Sequence, residues 1–206
     1  MQILIVSATF PEIKPLYEDL NTKIDFLITG IGIPQTTFEL SKKLNKTNYD
    51  LIINLGIAGS FDKGFELGKV VQITEDCFAD IGFEDKNTFI PIRESKMAEH
   101  IKYEFKNSSK FHFLNQIESA KGITVNSTSG NTNTIQYRKK LFNADIESME
   151  GAAVFYVCSE KNINCIQVRS ISNYIEERNT NNWNIPLAIS NLNNFSKLLI
   201  SDLLKE

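Results

Sequence analysis

The sequence predicts an α/β protein, a three-layer αβα sandwich with a central mixed, mostly parallel sheet. Three observations point there. Short β-branched runs alternate with helix-period segments along the chain, the pattern of parallel strands joined by crossover helices. Glycines cluster directly after two of these runs, at Gly30-Ile31-Gly32 and Gly56-Ile57-Ala58-Gly59, where open α/β sheets place their ligand sites. With 206 residues, 42% of them hydrophobic, the chain can bury one sizeable core but would be cramped as two, so 1–206 reads as a single domain.

The elements follow in order. Ile3 to Ser7 is a strand, and Pro11 to Leu20 a helix that opens on the proline, which suits a first turn. Ile24 to Thr29 and Pro34 to Leu44 repeat the strand and helix. Leu51 to Asn54, Val70 to Thr74, Gly122 to Val125 and Cys165 to Ser170 are further strands. Helices are expected at Thr132 to Phe142, Met149 to Lys161 and Ile185 to Leu204. The asparagine-rich stretch 179–184 is a polar loop, with Trp183 in it read as a hydrophobic plug on the core edge or, alternatively, a lid anchor.

Composition excludes several functions. A net charge of −3, from 22 basic and 25 acidic residues, does not suit a broad grip on nucleic-acid phosphates. Cys77, Cys158 and Cys165 form no CxxC pair and are expected as buried free thiols of a reducing compartment. His100 and His112 lie in polar, lysine-rich sequence without metal-ligand spacing, so they are expected at the surface, with no metal and no cofactor. No basic leader and no apolar run of about 18 residues is present, which leads to the expectation of a cytoplasmic protein without a membrane partner.

Four segments carry chemistry. Gly30-Ile31-Gly32 begins like a dinucleotide fingerprint but lacks the third glycine and a later acidic ribose anchor, so tight turning explains it. The small residues Gly56, Ile57, Ala58 and Gly59 close the third strand and let a ligand approach the backbone. In Glu147-Ser148-Met149-Glu150-Gly151-Ala152-Ala153, Glu150 is expected in a first helical turn, where positive potential stabilises its ionised form. Val168-Arg169-Ser170-Ile171-Ser172-Asn173 runs a hydrophobic strand into charged and amide groups at the sheet's carboxyl edge.

Taken in order, with Ile3 to Ala8 and Glu12 at the start, these segments resemble the purine nucleoside phosphorylase and nucleosidase superfamily. Within it they look most like the futalosine hydrolase family of menaquinone biosynthesis, on Gly56 to Asp62, Phe78-Ala79-Asp80, Glu147 to Ala153 and Ser170 to Tyr174 through Arg178-Asn179. The resemblance implies a nucleoside phosphorylase-like fold, a small-molecule nucleoside substrate, hydrolysis of its N-glycosidic bond to release hypoxanthine, and a homodimer. It implies roles as well: Glu12 as general base on water with Arg169 orienting it, Glu150 on the ribose hydroxyls, Met149 against the sugar face, and Ser172 and Asn173 near the base.

Asn173 departs from the adenosine-cleaving relatives, which have an aspartate there. An amide cannot supply a proton, but it can donate to a 6-oxo group and accept from a protonated N7, which suits hypoxanthine. Ile57 stands where the nucleosidases have serine, leaving Ser60 as the nearest hydroxyl. The loop 126–131 is expected at the edge of the purine pocket. No arginine precedes Arg93, so the amino-terminal half lacks a phosphate clamp and water is the expected nucleophile. The alternatives are a methylthioadenosine/adenosylhomocysteine nucleosidase or a phosphorylase of the same fold, and a non-catalytic nucleoside-binding protein.

Overall fold

The structure is a computed structural model that describes residues 1–20, 24–86, 88–96, 99, 102–107 and 111–205. Its elements run β1 (Ile3–Ser7), α1 (Phe10–Asp19), β2 (Asp25–Ile28), α2 (Ile33–Leu44), β3 (Leu51–Ser60), β4 (Val70–Cys77), β5 (Gly82–Asp85), β6 (Thr88–Pro91), β7 (Glu104–Lys106), β8 (Glu118–Thr124), α3 (Thr132–Phe142), β9 (Ile146–Ser148), α4 (Gly151–Lys161), β10 (Asn164–Tyr174) and α5 (Ile185–Leu203).

β1 is buried along its whole length, as a run of Ile-Leu-Ile-Val requires when both faces are covered. Its alternating side chains serve two cores. Ile3 and Ile5 meet Ile13 and Leu16 of α1 and Leu192 and Leu199 of α5. Leu4 and Val6 face the other way, toward Leu40 of α2 and Val154 of α4. Each such side chain removed from water contributes about 1.5–3 kcal/mol, so helices on both faces follow from the strand's own two-residue period.

The sandwich expectation needs correction, because the sheet closes on itself. β3 pairs in parallel with β10 from Leu51 opposite Asn164 to Ser60 opposite Tyr174. β10 continues to β4, β4 to β8 and β8 to β9, and β9 returns to β3 through Gly59 opposite Glu147, giving a closed five-stranded ring. β1 and β2 extend from the other half of the β3 edge, at Ile3 to Val6 opposite Leu51 to Asn54. Closure depends on strand length: β3 and β10 are 10 and 11 residues, so one edge of β3 serves β1 early and β9 late.

The sequence reading stopped these strands at Asn54 and Ser170, because glycines and hydroxyls read as loop. Those residues are the barrel wall instead. A register shift between Ile171 and Asn173 bends β10 where the barrel needs curvature. The β5–β6 hairpin, β7 and β9 were also not anticipated; each is only three or four residues long.

Cys77, Cys158 and Cys165 are free and buried, and His112 is exposed, as expected. His100 lies outside the described residues. No helix among the described residues is long and apolar enough to cross a membrane.

Candidate active site

A cleft of about 500 Å³ opens beside the carboxyl ends of β1 and β3 and the start of α4. It gathers residues from distant parts of the chain: Glu12, Ile57 to Gly59, Met149, Glu150, Ser172 and Asn173 all line it. Gly56 and Arg169 do not.

Glu12 sits in the first turn of α1, 8% exposed. Its Oε2 accepts from the Thr9 backbone N–H at 2.9 Å, the Thr9 hydroxyl at 2.8 Å and the Ser7 hydroxyl at 3.2 Å. The return bond from the third helical residue to its N-cap is half of a capping box, so local sequence both starts the helix and aims the carboxylate. Oε1 accepts from the Ile57 N–H at 3.2 Å. At position 57 it is the backbone that contributes the contact to Glu12. Ser60 does not replace the missing hydroxyl: its Oγ donates to Asp62 O at 2.7 Å, in the turn beyond β3.

Gly56 lies between Glu12 and Arg169. A Cβ there would stand 3.2 Å from Glu12 Oε1 and 3.5 Å from Arg169 Nη1. Arg169 itself is 1% exposed, and its Nη1 donates to the carbonyls of Val168 at 3.0 Å and Asn54 at 3.3 Å. Arg169 is thus buried beside Gly56, next to the Glu12 carboxylate, rather than lining the cleft. From there its charge acts on Glu150, Asp76 and Glu12.

Glu150 is the N-cap of α4, with φ −133° and ψ −21°, rather than a first-turn residue. Its Oε1 accepts from the Gly32 N–H at 3.0 Å. Gly32 adopts φ +93°, a left-handed conformation that favours glycine, and this turns its N–H toward the carboxylate. The expected net stabilisation of ionised Glu150 is overridden. Burial raises its pKa above the usual glutamate range, and Glu12 pushes the same way, against the Gly32 bond and the Arg169 charge.

Asn173 reaches the cleft from the bulged end of β10. Ser172 Oγ donates to its Oδ1 at 2.7 Å, with Ala58 O a second acceptor at 3.1 Å, and Asn173 Nδ2 donates to Tyr174 O at 3.1 Å. One amide hydrogen and one lone pair remain for a ligand. Gly59 makes room for this arrangement, since a Cβ there would be 3.1 Å from Asn173 Nδ2 and 2.9 Å from Ile175 Cγ1.

Trp183 is half-buried on the cleft wall, with the Arg178 guanidinium 5.1 Å from its ring centroid. The core-edge plug reading gives way to a wall residue. The loop 126–131 reaches the cleft through Thr128. It is tied down by Glu147, which accepts from the Ser129 N–H at 2.7 Å, the Ser129 hydroxyl at 2.6 Å and Arg138 Nη1 at 3.0 Å.

Beneath the site runs a buried chain of polar groups that the sequence reading missed. Asn54 donates to Gln167, Gln167 to Asp76 Oδ2 at 2.8 Å, and Thr124 to Asp76 Oδ1 at 2.9 Å. Thr124 Oγ1 also accepts from the Ala152 N–H, fixing the start of α4. Burial pushes Asp76 up to about 6. The signal available was Gly151, where a Cβ would collide with Asp76 Oδ2 and Gln167 Nε2.

The profile of the family described as Phosphorylase superfamily matches residues 23–201. The chain belongs to this superfamily. Among curated relatives, a 5'-methylthioadenosine/S-adenosylhomocysteine nucleosidase of Buchnera aphidicola is 26% identical, over 97% of this chain and 96% of the relative. An aminodeoxyfutalosine nucleosidase of Campylobacter jejuni is also 26% identical, over 86% and 88%. The solved structure of a futalosine hydrolase mutant of Helicobacter pylori superposes with TM-score 0.83 at 18% identity, over 98% of this chain and 100% of the other; that likeness concerns the fold alone. The resemblance drawn from the motifs is thus borne out. The chain is an enzyme of a superfamily in which its relatives cleave nucleosides as nucleosidases.

Proposed function

We propose that this enzyme is a futalosine hydrolase, releasing hypoxanthine and dehypoxanthine futalosine from a nucleoside of menaquinone biosynthesis, with water as nucleophile. The observation that carries the reading is the convergence of Glu12, Glu150 and the Asn173 amide on a single cleft.

Glu12, whose Oε1 receives only the Ile57 N–H, keeps acceptor capacity for an attacking water and serves as general base. Glu150 accepts from the ribose hydroxyls and stabilises the oxocarbenium-like sugar as positive charge develops. Met149 packs on the sugar, while Asn173 offers its free hydrogen to the 6-oxo group and its free lone pair to a protonated N7. Arg169, buried beside Glu12, is the partner that orients it toward the water, and its charge opposes the repulsion between Glu12 and Glu150.

Water rather than phosphate is supported by the Gly32 N–H, which is already donated to Glu150 and so unavailable to an anion. Arg178, the one arginine among the residues lining the cleft, is stacked on Trp183. A second reading, adenine release from methylthioadenosine or adenosylhomocysteine, is favoured by the Buchnera relative. The homodimer implied by the resemblance belongs to the proposal too, and light scattering tests it.

Chromatography of the bases released from futalosine, aminodeoxyfutalosine and methylthioadenosine, with and without phosphate, is the deciding experiment. Hypoxanthine from futalosine without phosphate is the expected result. Strict dependence on phosphate with a sugar 1-phosphate product would overturn hydrolysis; adenine alone would favour the second reading; ligand binding without turnover would indicate a binding protein.

A further inference from the structure

Pro15 lies inside α1, three residues beyond Glu12, and has no N–H for the carbonyl one turn back. The next peptide is also unusual. Leu16 N–H, whose helical acceptor is Glu12 C=O, donates to Asn193 Oδ1 at 2.9 Å. Asn193 Nδ2 in turn donates to Glu12 O at 2.8 Å, and to Ile189 O on its own helix at 2.7 Å. Asn193 is 2% exposed, and both amide hydrogens and its carbonyl are engaged. A side chain 181 residues from Glu12 therefore bonds both the donor and the acceptor of one turn of α1, and the acceptor belongs to Glu12.

We propose that Asn193 is the positioning residue for Glu12, clamping the backbone of α1 at the general base so that its carboxylate faces the cleft. The inference rests on the general-base reading given above. The clamp sits on the same helix as Ile185 and Ile189, which line the cleft, so α5 carries the wall and the clamp as one rigid piece. An apolar residue at 193 would fill the space, yet leave Glu12 C=O and Leu16 N–H to find each other across a turn disrupted by proline. Misplacing a base by a fraction of an ångström lowers the rate of proton transfer but does not weaken contacts to sugar or purine.

The test compares steady-state kinetics of Asn193→Ala with Ser196→Ala, a control one turn further along α5 whose buried hydroxyl donates only within its helix, to Leu192 O. Asn193→Ala is expected to lower kcat by roughly tenfold or more while KM stays within about twofold. Ser196→Ala is expected to lower the melting temperature without changing kcat. Pro15→Ala, at an exposed position, should leave the parent enzyme unchanged. Combined with Asn193→Ala it should restore most of kcat, because the alanine that replaces Pro15 gives its N–H to Pro11 C=O and removes the ring that disrupts this turn, so α1 holds Glu12 without the clamp.

A kcat unchanged in Asn193→Ala, or a loss that Ser196→Ala reproduces, or no rescue by Pro15→Ala, would overturn the proposal. Should Glu12→Gln retain full turnover, the base assignment fails instead, and the positioning role falls with it. The two failures are thus separable.

Discussion

Glu12 and Glu150, two of the three glutamates that line the cleft, are held in opposite ways. Glu12 takes three of its four hydrogen bonds from Ser7 and Thr9, within five residues of itself. Glu150 takes its bond from Gly32, 118 residues away, at the end of a different strand. The local bonds set the Glu12 carboxylate on its helix as soon as α1 forms, and α5 then fixes that helix through Asn193, whereas Glu150 gains its bond only when β2, α2 and α4 have packed together. The difference suits their proposed roles: a base must be aimed at one small molecule of water, while a sugar-binding carboxylate can be set by the same elements that shape the pocket.

The largest effect that sharpens the contrast is loss of each charge. Glu12→Gln should lower kcat by roughly 10²- to 10⁴-fold while the dissociation constant of a non-hydrolysable nucleoside stays within about threefold. Glu150→Gln should lower kcat/KM by about 10²-fold and weaken that analogue as well. Calorimetric titration beside the kinetics distinguishes them, and equal weakening by both variants would break the comparison.

Next in size come changes to the supports. Thr9→Val, which removes the hydroxyl from Glu12, should lower kcat by about tenfold with KM nearly constant. Gly32→Ala, forced into a left-handed backbone, should chiefly raise KM, by a similar factor. A third substitution addresses the base: Asn173→Asp should shift the ratio of hypoxanthine to adenine release by about tenfold or more toward adenine. Unchanged kinetics on both substrates would remove Asn173 from base recognition.

The smallest effects are in pH dependence. Because the Glu150 pKa is raised, kcat/KM should fall on the acid side at a pH above the ordinary glutamate range. In the Glu12→Gln background the Glu150 titration, followed by NMR, should move down, since one repelling charge is gone. The same shift bears on stability. A carboxyl whose folded pKa exceeds its unfolded value favours the fold below the unfolded value, and that contribution is lost as pH rises through the folded one. Glu150→Gln should therefore melt higher than the parent at pH 8, by about 2 °C, with the gap vanishing near pH 4. Asp76, pushed up to about 6, should make the parent lose stability in the same direction between about pH 4 and pH 6.

Much of the site was legible because its residues occur in compact motifs. Glu12 follows a strand and opens a helix, Met149-Glu150 precedes three small residues, and Ser172-Asn173 ends a hydrophobic run; each peptide carries its own cue. Arg169 was legible as important but not as buried, since a strand residue's side is fixed by register against its neighbours. Arg138 and Asn193 were not legible, and Asp76 and Gln167 left only Gly151 as an indirect trace. Each is a polar residue within an otherwise ordinary strand or helix, and only its partner explains it.

The chain's periodicity alone determined the alternation of strands and helices and the two-faced burial of β1, because hydrophobic spacing is a local property that any packing must respect. Closure of the sheet, the burial of Arg169 beside Glu12, and the links from Gly32 to Glu150 and from Asn193 to Glu12 were decided only in the tertiary structure. These join residues more than a hundred positions apart, or depend on how far β3 and β10 run together before they bend. Strand extension through glycine and serine is weak by local propensity, and it is stabilised here by pairing on both edges, which no single segment encodes.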